Sequence, residues 1–204
     1  MSSDTKSCPF MTLTEPTKAE RDHDPLTETT VKKSILFQSP FVQLVREDVV
    51  LPGKETSVRY MLPHRGASAM IPLDSEGMVI LERQWRHPCK KAFWEIPAGK
   101  IDPDESPLEA AKRELKEECG ILGETWTYLG VLRNAIGYSD ESITVYLVED
   151  LTFESQALDP GEYLEVVRVP LDVALRMCDE GYITDCKTLI GLYWLSRRLE
   201  KKAQ

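Results

Sequence analysis

From Phe41 the chain alternates apolar and polar positions through "FVQLVREDVVL", turns at "PGKE", and alternates again through "TSVRYML". Two period-2 runs around a Pro-Gly turn predict a β-hairpin over residues 41–62. "ASAMIPL" and "MVILERQW", joined by "DSEG", predict a second hairpin, and "AFWEIP" a short apolar strand. "TWTYLGVL", "SITVYLVED" and "EYLEVVRV" are rich in β-branched and aromatic residues and read as later strands. The period becomes helical in three places. Ser106-Pro107-Leu108-Glu109 is a capping box with proline at the first helical position, and Gly120 is a C-terminal stop, so a helix runs from Pro107 to Cys119 with Leu108, Ala111 and Leu115 as its buried stripe. "PLDVALRMCDEG" runs from Pro170 to Gly181, and "TDCKTLIGLYWLSRRLEKK" carries Leu189, Leu192, Tyr193 and Leu199 at helical spacing as core candidates. This order of strands, helix, strands and two helices predicts an α/β chain, a mixed sheet with helices packed on it.

Residues 1–33 are polar, lack periodicity and read as a flexible tail; 34–66 form an N-terminal hairpin region, and 67–204 the main domain. At 204 residues with 42% hydrophobic content the chain can bury a substantial core. A net charge of −9 argues against general nucleic-acid or anionic-membrane partners. No apolar run approaches the ~18 residues of a membrane span, and the N-terminus lacks the apolar core of a secretory signal. The five cysteines, Cys8, Cys89, Cys119, Cys178 and Cys186, show no paired spacing and read as reduced, small apolar side chains in a cytoplasmic protein.

Charge changes the picture at Gly99–Ile121, "GKIDPDESPLEAAKRELKEECGI". Glu114, Glu117 and Glu118 crowd one side of the helix near its C-terminus, where the macrodipole disfavours anions and like charges repel. A solvated face is the plain alternative, but a soluble helix would place its acids in the first turn. The arrangement therefore points to a cation, and hard oxygen donors suit Mg²⁺ or Mn²⁺ shared with substrate phosphates. Gly99, Glu105, Arg113, Glu114, Leu115, Glu117, Glu118, Gly120 and Ile121 then match the pattern G-x5-E-x7-R-E-U-x-E-E-x-G-U, U being bulky aliphatic, at every specified place. Chance would produce that at roughly 10⁻⁹ per starting position.

On this motif the chain resembles the Nudix hydrolases over residues 34–202. The resemblance implies a Nudix-type α/β/α sandwich with an N-terminal β-hairpin extension, and metal-dependent cleavage of a nucleoside diphosphate linked to another moiety. It implies metal ligation by Glu114, Glu117 and Glu118 with the Ala98 carbonyl, and an Arg113–Glu105 pair that orients the cluster. "FWEIPAGKID", "ERQWRHP" and "GYSDE" are similar to ADP-ribose pyrophosphatases. That likeness implies that Arg86, with Arg59 and Tyr138, binds substrate, and that Glu162, or else Glu165, is the general base. It also implies a homodimer joined through the N-terminal hairpin. One position departs from the pattern. Those enzymes usually carry proline sixteen residues beyond Gly120, where this chain has Ile136, and Tyr138 resembles the tyrosine of some dinucleoside polyphosphate hydrolases. Three readings follow: ADP-ribose hydrolysis to AMP and a sugar phosphate, hydrolysis of a dinucleoside polyphosphate or other nucleoside diphosphate derivative, and a non-catalytic nucleotide-binding module. Phe37, Phe41, Tyr60 and Trp85 could stack on adenine, although core packing is the favoured reading for each.

Overall fold

The computed structural model describes residues 24–202. Among the described residues ten strands and three α-helices follow one another as β1 (Thr29–Gln38), β2 (Gln43–Val50), β3 (Thr56–Met61), β4 (Ala67–Pro72), β5 (Met78–Arg86), β6 (Lys91–Glu95), β7 (Ala98–Lys100), α1 (Pro107–Cys119), β8 (Ile121–Leu132), β9 (Ile143–Phe153), β10 (Leu164–Pro170), α2 (Leu171–Asp179) and α3 (Cys186–Lys202). They build three sheets, ordered β1-β2-β3, β10-β5-β6 and β7-β4-β9-β8.

β4 shows why the core forms where it does. It runs parallel to β9 on one side and antiparallel to β7 on the other, and all six of its residues are buried. Ala67, Ala69 and Ile71 face a cluster with α2 and α3, in which Leu192, Leu195 and Ile183 are fully buried. Met70 faces the opposite way, packing with Ile80 and Val148 against Ala111, Leu115 and Cys119. Helices therefore cover both faces of the sheets, giving the expected α/β/α sandwich. Ser68, on the α1 side, donates a 2.6 Å hydrogen bond to the Pro107 carbonyl and ties the start of the helix to the central strand.

The hairpin expected between β4 and β5 does not form. The "DSEG" turn is present, with the Asp74 side chain accepting from the Glu76 and Met78 amides, but beyond a single Leu73–Val79 bridge the strands part into different sheets. A strand buried on both faces, such as β4, satisfies its backbone best in the middle of a sheet, between two other partners. The hairpin at 41–62 does form, as β2 and β3, but a third strand joins it. β1 begins at Thr29, so Thr29–Lys33 of the expected tail are ordered; residues 1–23 of that tail lie outside the described residues. β1 carries no alternation toward a core, because its side chains, Val31, Ile35, Leu36 and Phe37 included, are nearly all exposed, and polar pairs such as Thr30–Glu47 register it on β2.

Candidate active site

The α1 caps form as the sequence predicts. The Ser106 hydroxyl accepts from the Glu109 amide and the Glu109 carboxylate accepts from the Ser106 amide, while Gly120 ends the helix at φ +63°. A side chain at Gly120 would also run into the Glu154 carbonyl, so both conformation and space demand glycine. The buried face extends beyond the expected stripe: Leu108 is half-buried, and Ala110, Cys119 and the carboxylate-bearing Glu118 are buried with Ala111 and Leu115.

Arg113 organises the outer half of the acidic cluster. Its Nε and Nη2 donate to Glu105 at 3.0 Å each, and Nη1 lies 2.8 Å from Glu114 and 3.1 Å from Glu117. Nη2 also reaches the Lys100 carbonyl at 3.1 Å, fixing the box loop to the helix. The hydrogen bond from Arg113 holds the Glu105 carboxyl below its usual range, and Glu105 in turn raises the Arg113 guanidinium. Burial pushes Glu114 up against the pull of Arg113. Gly99 leaves the room this requires, because a Cβ there would fall within the Glu114 carboxylate.

Glu118 differs from these three. It is 6% exposed, its Oε2 has no hydrogen-bond partner, and burial, with the charges of Glu82, Glu114 and Glu162, raises it to about 9. The Ala98 backbone amide draws it back in part, which puts β7 beside this carboxylate. Among the described residues no three acidic, histidine or cysteine side chains form a ready-made cage. The donor set nevertheless suits a hard divalent cation that completes its shell with water and phosphate oxygens: it is all oxygen, and part of it is buried without a partner.

Glu162 lies in the loop between β9 and β10, and its charge reaches Glu82, Glu114 and Glu118. Glu165, on β10, turns outward to Arg83 at 3.2 Å. The β9–β10 loop is tied to α1 by bonds the sequence did not reveal: the Gln156 side chain donates to the Glu118 carbonyl at 2.6 Å and the Ala157 amide to the Glu117 carbonyl at 2.9 Å. These satisfy carbonyls that a helix C-terminus would leave unpaired. Glu162, Glu165, Arg83, Trp85 and Tyr163 line a groove of about 410 Å³.

Arg86 is half-buried and committed to Glu95, with Nε and Nη2 each 2.7 Å from a carboxylate oxygen. Lys187, from the first turn of α3, bonds the same carboxylate and also Asp185 at 3.1 Å. Arg59 bonds Glu28 and sits with Tyr138, Ile136 and Gly137 around a separate groove of about 360 Å³. The core reading of Phe37, Phe41, Tyr60 and Trp85 fails: all four are more than half exposed. Cys119 and Cys178 are buried as expected, whereas Cys89 and Cys186 are exposed, and Cys8 lies outside the described residues.

Glu82, Glu95 and Lys187 went unnoticed in the sequence. The signal for Glu82 was there: two residues after Ile80, it shares that residue's inward phase in an otherwise apolar run. For Lys187 the signal was a lysine in the first turn of a helix, where the dipole disfavours cations.

A NUDIX domain is matched over residues 62–185, more than half of the chain. The chain is 34% identical over 181 residues to an ADP-ribose pyrophosphatase of Bacillus subtilis, covering 88% of this chain and 98% of that one. It is 36% identical to a methanol dehydrogenase activator of Bacillus methanolicus, covering 82% and 92%. A crystal structure of an ADP compounds hydrolase superposes with a TM-score of 0.76 at 24% identity, over 86% of this chain and 95% of that one. The chain belongs to the NUDIX family.

Proposed function

We propose that the chain hydrolyses the pyrophosphate bond of ADP-ribose or a closely related nucleoside diphosphate sugar, giving AMP and a sugar phosphate. The observation that carries this reading is the complete box with its acids gathered around Arg113, in a chain whose likeness to an ADP-ribose pyrophosphatase spans 88% of its length. Water attacks one phosphorus, the bridging P–O bond breaks, and the leaving phosphate takes the electron pair. Glu114, Glu117 and Glu118, with the Ala98 carbonyl, would hold a divalent cation, Mg²⁺ or Mn²⁺, which when bound would supply charge neutralisation at the phosphate oxygens and lower the pKa of the attacking water. Glu105 and Arg113 keep the outer carboxylates in position, and Glu162 accepts the proton of the attacking water. Its electrostatic reach to Glu114 and Glu118 supports Glu162 over Glu165 for that task. Arg86, oriented by Glu95, contacts the phosphates; Arg59 and Tyr138 bind the nucleoside side. Exposed Ile35 and Phe37 on β1, with Phe41 in the turn that follows, support a homodimer formed through the N-terminal sheet. Among the described residues no helix is long and apolar enough to cross a membrane, and we place the enzyme in the cytoplasm. A second reading, cleavage of dinucleoside polyphosphates, is favoured by Tyr138, which stands exposed beside Ile136.

The test is incubation of the full chain with ADP-ribose and Mg²⁺, with EDTA as control, resolving AMP and ribose 5-phosphate by chromatography. Metal-dependent appearance of both products is expected. Intact ADP-ribose beside cleaved diadenosine polyphosphate would instead establish the second reading. Glu118→Gln is expected to lower turnover about a hundredfold or more, since even groups that merely support a metal ligand are worth about 10–100-fold. An unchanged rate removes Glu118 from the ligand set.

A further inference from the structure

One carboxylate near the site has no role in the reading above. Glu82 is fully buried at 0% exposure, and neither of its oxygens has a hydrogen-bond partner. An ionised carboxylate sealed in a protein without partners is strongly unfavourable, and a strand position among Ile80 and Leu81 would normally hold an aliphatic residue. The nearby cations are already engaged. Arg86 directs Nε and Nη2 to Glu95, and Lys187 bonds Glu95 and Asp185. Glu82 shares the sheet face of Ile80, which packs on Ala111, Leu115 and Cys119 of α1. That phase aims it at the C-terminal turn of the helix, where Glu118 is also buried with an unpartnered Oε2. Its charge acts on Glu118 more strongly than that of Glu114 does, and it also reaches the Cys119 thiol. Two buried carboxylates, three orphaned oxygens and no free base between them describe a place for a cation.

We propose that Glu82 is an additional acidic ligand of the divalent-cation site, closing it from the sheet side opposite Glu118. The inference rests on the metal reading of the box and adds a strand-borne oxygen donor to the helix-borne set. It accounts for a buried acid whose two oxygens have no hydrogen-bond partner in the fold.

The experiment is Mn²⁺ binding to the full-length chain, read by the electron paramagnetic resonance signal of free Mn²⁺, for the unmodified protein, Glu82→Gln and Glu82→Val. Circular dichroism checks that each variant is folded. The expected result is Mn²⁺ affinity lowered about tenfold or more in both variants. Isotherms that superimpose on that of the unmodified chain would overturn the inference while leaving the box reading intact, and would mean that Glu82 carries a proton. If the unmodified chain binds no Mn²⁺, both readings fall together. A crystal of the unmodified chain soaked in Mn²⁺ decides the matter without any substitution. An anomalous peak within about 2.0–2.6 Å of a Glu82 oxygen supports the assignment; a site ligated only by α1 residues overturns it.

Discussion

Glu82 and Glu95 face each other across β5 and β6, and both are buried, at 0% and 3% exposure. Burial pushes both carboxyls up, yet their charge states diverge. At Glu95 the bonds from Arg86 and Lys187 outweigh burial and hold the carboxyl below its usual range. At Glu82 burial wins over the more distant pull of Lys187, Glu95 adds repulsion, and the carboxyl rises to about 8. Two acids a strand apart thus differ in the supply of donors rather than in depth. The Arg86–Glu95–Lys187 side is neutralised by the chain itself and acts as scaffold. The Glu82–Glu118 side is left for something the chain does not contain.

The strongest way to break this contrast is to make Glu95 resemble Glu82. Lys187→Met removes one partner of a buried pair whose side chains are 9% and 3% exposed. Leaving Glu95 short of a donor should cost about 3–5 kcal/mol of unfolding free energy. Chemical denaturation measures it, and a loss below about 1 kcal/mol would mean that Arg86 alone suffices.

A smaller effect separates the two sides by pH. Glu82 and Glu118 have folded-state values of about 8 and about 9, against 4.5 for an ordinary glutamate. Between those limits the folded chain binds more protons than the unfolded one, so stability from these groups is full below 4.5 and is lost as pH rises through 8 and 9. Glu95, whose value is lowered, has the opposite sign: its contribution is present above 4.5 and is lost as pH falls. In EDTA the Tm should therefore decline from pH 6 to pH 9, and saturating Mg²⁺ should flatten that decline. A profile that rises toward pH 9 without metal would contradict the assignment of Glu82 and Glu118 as unneutralised.

The two sides also differ in how readily they are read from the sequence. The ends of α1 and its acid spacing were legible, because capping box and glycine stop are local, and the family resemblance supplied the Arg113–Glu105 pair; the burial of Ala110, Glu118 and Cys119 was not, because it depends on what packs over the helix. The scaffold side was not, because it joins β5, β6 and α3, with Glu95 and Lys187 far apart in the chain, and no local period encodes such a pairing. Gln156 was invisible for the same reason: its target is a backbone carbonyl 38 positions away. The misplaced β4–β5 hairpin has another cause. A turn signal states that the chain reverses, but only the uniform burial of β4 decides which strands it then joins.

Glu114 is half-buried, bonded to Arg113 and repelled by Glu117 and Glu162, and the smallest expected stability change tests whether its placement matters as much as its presence. Gly99 lies in β7 without a positive φ, so alanine is conformationally acceptable there, but its methyl would occupy the space of the Glu114 carboxylate. The obstructing group is the end of a flexible side chain, so Glu114 should swing aside and leave the fold intact. Gly99→Ala should then change stability by less than about 1 kcal/mol, since lost backbone freedom in the unfolded chain offsets part of the crowding. Turnover should nevertheless fall about a hundredfold, because displacing a reacting group by about 1 Å is enough for that. If instead stability falls by several kcal/mol, Gly99 serves the β4–β7 pairing and not the carboxylate. If neither quantity moves, the position of Glu114 does not limit the reaction, and the weight of the site shifts inward to Glu118 and Glu82.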